Sequence, residues 1–256
     1  MEEPDYSYEK DLKGFSKAIS IGALEFLILK CKESICKIYC NDNGHGTGFF
    51  SNIQYDYNII LKVLISNNHV LKEDDLTIGK KIKFSINDEA IFYEIIINKS
   101  RKIYTSKKYD VTIIELKFND KLDKISFFDI DNQIFRENSK ELYINKLIYL
   151  LHYPKGKEMK FSDGIIRNFS DDNYTIRHIC DTSEGSSGGP IINAINLQLI
   201  GIHKGGAKGA QNFNLGTFMK EPIGEFKDKI QNMENNNKNI SENNMENKNN
   251  SENFFG

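Results

Sequence analysis

A serine set among glycines, Gly185-Ser186-Ser187-Gly188-Gly189-Pro190, is the stretch of this chain best suited to chemistry. Glycines on both sides let a tight turn hold the Ser187 hydroxyl beside free backbone amides, the local arrangement of a covalent nucleophile. A serine hydroxyl is a weak nucleophile near neutral pH. Acyl transfer therefore needs an imidazole to take its proton and an acid to hold that imidazole in one tautomer. Upstream the chain offers both, with His69 in Ser66-Asn67-Asn68-His69-Val70 and Asp110 at the head of the run Asp110-Val111-Thr112-Ile113-Ile114. In this reading His69 is general base and then acid, and Asp110 orients it. The amides of Gly185 and Ser187 form the oxyanion hole, each donor contributing about 3–4 kcal/mol to lowering the barrier.

Other readings of the same residues are weaker. Gly185-x-Ser187-x-Gly189 also fits the nucleophile elbow of α/β-hydrolases, which needs an acid and then a histidine after the serine. Only His203 follows, and no Asp or Glu lies between it and Ser187, so an esterase of that kind is excluded. Asp110 taken alone could cap a turn. His45, His152 and His178 read as loop or hydrogen-bonded core residues, and Cys180 as a small buried apolar one.

Positioning these groups falls to short strands. From Ile35 to Phe218 the chain shows β-branched and aromatic runs separated by Gly, Asn, Asp and Lys turns, among them 47–53, 58–66, 81–86, 91–98, 110–118, 142–151, 174–180 and 197–203. Many short strands without helical periods between them predict an antiparallel sandwich or barrel. A polar stretch, 119–140, splits them into two groups, with His69 and Asp110 in the first and Ser187 in the second, so the site must lie where the groups meet. We expect a helical extension over residues 1–34, with its helix from about Gly14 to Lys32. A first barrel with its linker follows over 35–140, then a second barrel with a closing helix over 141–231. The Asn-rich tail, 232–256, is expected to stay unfolded.

With 34 Lys and Arg against 36 Asp and Glu, the net charge is −2 and the lysines are scattered. That gives no electrostatic reason to expect nucleic acid or an anionic membrane as a partner. The acidic start and the broken apolar stretch near Ile19–Leu29 predict neither a signal peptide nor a membrane span, which points to the cytoplasm. In a reducing compartment Cys31, Cys36, Cys40 and Cys180 are expected as free thiols, and their spacing does not suit zinc. No cofactor is called for.

The motifs together resemble the chymotrypsin-like (trypsin-like) serine peptidases over roughly residues 35 to 219. They are Gly46-Thr47-Gly48-Phe49-Phe50, the histidine after a strand, Asp110-Val111-Thr112-Ile113, the Gly185–Pro190 run and Gly201-Ile202-His203-Lys204-Gly205-Gly206. The resemblance implies an all-β fold of two antiparallel six-stranded barrels and a serine endopeptidase acting on polypeptides through His69, Asp110 and Ser187. It is closest to the compact bacterial-type peptidases, including the glutamyl endopeptidases. It further implies that Asp181, Thr182 and His203 line the primary specificity pocket, and that Lys204, Gly205 and Gly206 form the strand against which substrate pairs.

Those pocket residues point in two directions. Asp181 aligns with the acid that attracts Lys or Arg in trypsin, whereas Thr182 and His203 align with residues that bind a substrate Glu. The compact subgroup carries the Asp-Thr pair without trypsin-like specificity, which favours Glu or Gln, although Glu184 at the rim would repel an acidic side chain. Secreted digestive relatives carry an aspartate where this chain has Ser186, so activation by N-terminal cleavage is not expected. Two alternatives stand beside the Glu/Gln-preferring endopeptidase: a Lys/Arg-preferring one, and a protease fold that binds without cleaving.

Overall fold

A computed structural model describes residues 21–40, 44–207, 209 and 211–252, with the backbone alone for 23, 26, 27 and 237–252. Helix α1, Ile21–Ser34, runs directly into strand β1, Ile35–Tyr39. It is the later part of the expected N-terminal helix; the part before Ile21 lies outside the described residues.

The first half is one sheet of eight strands. After β1 come β2 (His45–Asp56), β3 (Ile59–Ser66), β4 (Lys81–Ile86), β5 (Ile91–Ile96), β6 (Ile103–Ser106), β7 (Val111–Glu115) and the short β8 (Phe128–Asp129). They lie in the order β5-β4-β1-β2-β3-β7-β6, antiparallel throughout, with β8 added parallel to β2. The second half is a closed barrel, β10-β11-β14-β13-β12-β9. Its strands are β9 (Leu147–His152), β10 (Lys160–Phe169), β11 (Thr175–His178), β12 (Pro190–Asn193), β13 (Leu199–Gly206) and β14 (Asn214–Phe218).

Two six-stranded barrels were expected, and only the second closes with six. The first curls without joining its edges, β5 and β6. Arg101, buried in the connection between those edges, takes the place of a ladder. Its guanidinium donates to the carbonyls of Ile96 (3.1 Å) and Glu115 (2.5 Å) and forks onto Asp120 through two 2.8 Å bonds. Carbonyls at the opening are thereby satisfied by a side chain instead of a neighbouring strand.

Phe50 and Phe84 meet with tilted rings, centres 5.5 Å apart, in the core of the first sheet with Ile38, Leu64, Ile86 and Ile114. The opposite face of that sheet, through Phe49, Ile53, Val63 and Ile65, shares one core with the barrel residues Leu150, Ile166, Ile176, Ile191 and Ile202. Helix α2, Lys220–Glu252, covers the junction with Ile223, Phe226 and Ile230, the spacing of one helical face. Pro222 sits in its first turn, where no intrahelical N–H bond is lost.

The sequence predicts an unfolded segment from residue 232, yet the helix passes that point and continues to Glu252. Glu234 anchors the extra turn, accepting from Tyr55 Oη (3.0 Å) and Lys102 Nζ (2.8 Å). Earlier on α2, Glu225 accepts from the hydroxyls of Tyr104 (2.8 Å) and Tyr109 (2.9 Å). Among the described residues no helix is long and apolar enough to cross a membrane. Among the described residues Cys31, Cys36, Cys40 and Cys180 form no disulfide, and burial pushes the Cys31 and Cys180 thiols up to about 12.

Candidate active site

Pairing of β3 with β7, Ser66 opposite Thr112, brings the turn after one strand beside the turn before the other. His69 lies in the first turn and Asp110 in the second. Asp110 grips His69 twice: Oδ2 meets the ring Nδ1 at 2.7 Å and Oδ1 accepts the backbone N–H at 3.0 Å. The aspartate stands in the left-handed region, φ 55°, a conformation Asp tolerates better than most residues. It is held from both halves, because Asn67 Nδ2 donates to its carbonyl (2.8 Å) and Thr217 of the barrel donates to the carbonyl of Tyr109 (2.5 Å).

Ser187 sits in the turn leading into β12. Gly188 bonds across to β13 through His203 O (3.0 Å) and has φ 91°. A Cβ on Gly188 would fall 1.8 Å from Thr47 O and 2.6 Å from Ser66 Oγ, so only glycine lets this turn lie against the strand end that carries His69. The Ser187 hydroxyl donates to the carbonyl of Lys204 (2.8 Å) and makes no hydrogen bond with His69. The structure thus forms the His69–Asp110 pair and packs the Ser187 turn against the end of the strand that precedes His69, with the serine hydroxyl turned toward β13.

Two amides in this turn face outward, and the peptide geometry says why. Glu184 O accepts from Lys155 N (2.5 Å) and Ser186 O from Gly189 N (3.1 Å). In a trans peptide the N–H points opposite to the carbonyl, so anchoring these two carbonyls inward turns the amides of Gly185 and Ser187 the other way. Among the described residues neither amide has a partner. Gly185 has φ 85°, and a Cβ there would come within 2.7 Å of Tyr153 O.

Ser186 is fully buried. Its Oγ meets His152 Nδ1 at 2.6 Å and accepts from Ser183 N at 3.0 Å. These bonds hold the turn where an aspartate paired with a new N-terminus would do so in the digestive relatives.

Around the expected specificity pocket, His203 is 1 % exposed and meets His178 Nε2 at 3.1 Å. Asp181 is exposed and Thr182 half-buried, and the Asp181 amide donates to Ser162 Oγ (2.8 Å). Asn214 donates to Cys180 O (2.8 Å), tying β14 to this segment. Lys204 is half-buried with its ammonium 5.2 Å from the Tyr174 ring centre, and its pKa is lowered by burial. Gly205 faces open space. A cavity of about 240 Å³ lined by Asn52, Asp129, Phe135, Gln198 and Lys227 includes none of these residues.

Sequence reasoning missed Thr47, Asn67, Lys155 and Asn214. Thr47 stood in a motif already noted, but strand pattern gives no sign of which hydroxyl will meet the turn.

Three buried histidines carry a pH dependence. Burial pushes His152 and His178 down to about 4, helped at His178 by repulsion from His152, and burial also holds His203 well below the usual imidazole range. In the unfolded chain a histidine titrates near 6.5, so stability is whole above that pH and declines as pH falls toward 4. We expect a loss on the order of 3 kcal/mol for His152 or His178 alone, read as a falling urea midpoint between pH 7 and 4.5. A midpoint that holds steady across that window would refute the assignment of these rings as neutral.

The model of the trypsin-like peptidase domain matches residues 46–202, more than half of the chain. A comparison with curated protein sequences finds no match. Among solved structures, the serine endoprotease from Yersinia pestis is 12 % identical with a TM-score of 0.55, over 80 % of this chain and 64 % of its own. The chain thus spans less than two thirds of that protein. Rv3671c from M. tuberculosis H37Rv, a serine-to-alanine mutant in its inactive form, is 18 % identical with a TM-score of 0.55, over 77 % of this chain and 87 % of its own. Another inactive form of the Rv3671c protease gives 18 %, 0.54, 77 % and 89 %. At these identities the solved structures speak to the fold, and they agree with the family match: the chain belongs to the trypsin-like peptidases and has the chymotrypsin-like fold of serine peptidases.

Proposed function

We propose that the chain is a serine endopeptidase in which Ser187 attacks the scissile carbonyl. The observation that carries this is the His69–Asp110 couple just after β3, together with a turn packed against the end of that strand that has two unbonded amides, at Gly185 and Ser187. A turn of the Ser187 side chain from Lys204 O toward His69 Nε2 starts the reaction. His69 takes the hydroxyl proton as the Oγ–carbon bond forms, and Asp110 stabilises the imidazolium. The two amides receive the oxyanion, and His69 then protonates the leaving amine. Water hydrolyses the acyl-enzyme by the same steps in reverse order.

Substrate would lie extended along Lys204–Gly206. There β13 keeps β14 on one side while its β12 ladder ends at Ile202, leaving an edge for β-augmentation. A Glu or Gln preference follows from the buried, neutral His203–His178 pair, which can hydrogen-bond a polar side chain. Asp181, exposed, lacks the enclosure that an acid selecting Lys or Arg needs to act in low dielectric.

One observation favours a second reading, a domain that binds peptides without cutting them: Ser187 Oγ is bonded to Lys204 O and not to His69. A fluorophosphonate probe and a first-position peptide library separate the two. We expect labelling of the wild type and cleavage after Glu or Gln, with the preference lost in His203→Ala. Cleavage after Lys or Arg would overturn the preference. A folded wild type that neither labels nor cleaves would establish the binding reading.

A further inference from the structure

We propose that Thr47 is a positioning residue that fixes the geometry of the oxyanion hole from the other half of the molecule; the role rests on the peptidase reading above. Thr47 lies in β2 opposite Lys37 of β1, and the β2–β3 ladder ends at Phe49 and Ile65, two residues further on. Its backbone groups are therefore free of the β2–β3 ladder. The N–H donates to Ser187 O (2.8 Å), and the carbonyl accepts from Ser66 Oγ (2.8 Å). The hydroxyl donates to Gly185 O (2.8 Å) and accepts from Tyr153 N (3.0 Å). The residue is fully buried, and every polar group it has is engaged.

These bonds complete a pattern along the turn. Four consecutive carbonyls, at 184, 185, 186 and 187, are each held: the first by Lys155 N, the third by Gly189 N, and the second and fourth by Thr47. The second is the critical one. Gly185, at φ 85°, has the widest backbone freedom of any residue type, and its own amide must stay aimed at the substrate carbonyl. Among the described residues the Thr47 hydroxyl is the only side-chain partner of the Gly185 carbonyl. Without it the Gly185–Ser186 peptide, which links the two peptides that carry the oxyanion amides, is held only through Ser186 N to Ser183 O (3.0 Å), and the preorganisation of those amides is relaxed.

Because the hydroxyl acts through the two amides, the loss of its bonds is felt in turnover, when charge develops on the substrate oxygen, and not in substrate binding, which separates it from a residue that merely holds the fold. We expect Thr47→Val, which keeps the shape and removes the hydroxyl, to lower kcat about 10- to 100-fold with KM within about twofold. Affinity for a peptide boronic acid, a mimic of the tetrahedral state, falls in parallel with kcat/KM. Thr47→Ser restores most of the loss. The full chain is used throughout, with Tm measured on each variant. Should Thr47→Val fail to fold, Thr47→Cys, of similar size and a poor donor, is held to the same expectations.

An active wild type whose Thr47→Val keeps its kcat, or changes KM alone, overturns the role of Thr47 and leaves the peptidase reading standing. A Thr47→Ser variant as impaired as Thr47→Val overturns that role equally. A folded wild type that neither cleaves nor takes the fluorophosphonate overturns both.

Discussion

Ser187→Ala is expected to lower turnover by about 10⁶-fold and to abolish fluorophosphonate labelling, while the protein stays folded. The hydroxyl makes one hydrogen bond, to Lys204 O, so its removal disturbs little else. The result is informative because a second serine–histidine pair lies next door. Ser186 Oγ is 2.6 Å from His152 Nδ1, whereas the Ser187 hydroxyl is bonded to Lys204 O. That pair is unsuited to catalysis. Ser186 is fully buried, and His152, pushed to about 4 by burial, is a weak base. Labelling that survives in Ser187→Ala and disappears in Ser186→Ala would reverse this assignment.

Asp110→Asn is expected to cost about 10⁴-fold in turnover with little change in Tm. The backbone should accept it, since asparagine tolerates the φ of 55° found there as well as aspartate does. The loss comes from hydrogen-bond direction. The carboxylate accepts from both the His69 amide and the ring Nδ1–H, and an amide has only one accepting oxygen. If that oxygen takes the backbone N–H, the NH₂ faces the ring and forces the proton onto Nε2, where it blocks uptake from serine. If it takes Nδ1–H, two donors face each other at the backbone and the turn is pushed apart. Turnover within about tenfold of wild type would mean that His69 keeps its tautomer by other means and that Asp110 is not its orienter.

Much of this arrangement is legible in the sequence, for identifiable reasons. The run Lys81–Ile86 has the same ends as β4, because its alternation is bounded by turn residues on both sides. The meeting of His69 with Asp110 can be anticipated because each flanks an apolar run able to pair as strands do. The curl of the first sheet cannot. It depends on Arg101 finding two carbonyls and Asp120, three partners that no local pattern connects. The helix beyond residue 231 is hidden by its asparagines, which have weak helix propensity, and the long-range bonds at Glu234 that hold its first turn there leave no local pattern. Thr47 escapes for the same reason as Arg101, since its four partners come from three distant stretches of chain. Nor does any spacing rule say that Ser187 will rest on Lys204 O.

Glu225 on α2 gives these contacts an order in time. It holds the hydroxyl of Tyr109, whose next neighbour is Asp110, yet it is made well after His69, Asp110 and Ser187. A chain leaving the ribosome therefore carries all three chemical groups before it owns the clasp that ties the aspartate's turn to the helix. Until α2 has been made, the turn that carries Asp110 lacks the hydrogen bond that its neighbour Tyr109 donates to Glu225, so the last contact on that turn waits for the last helix described.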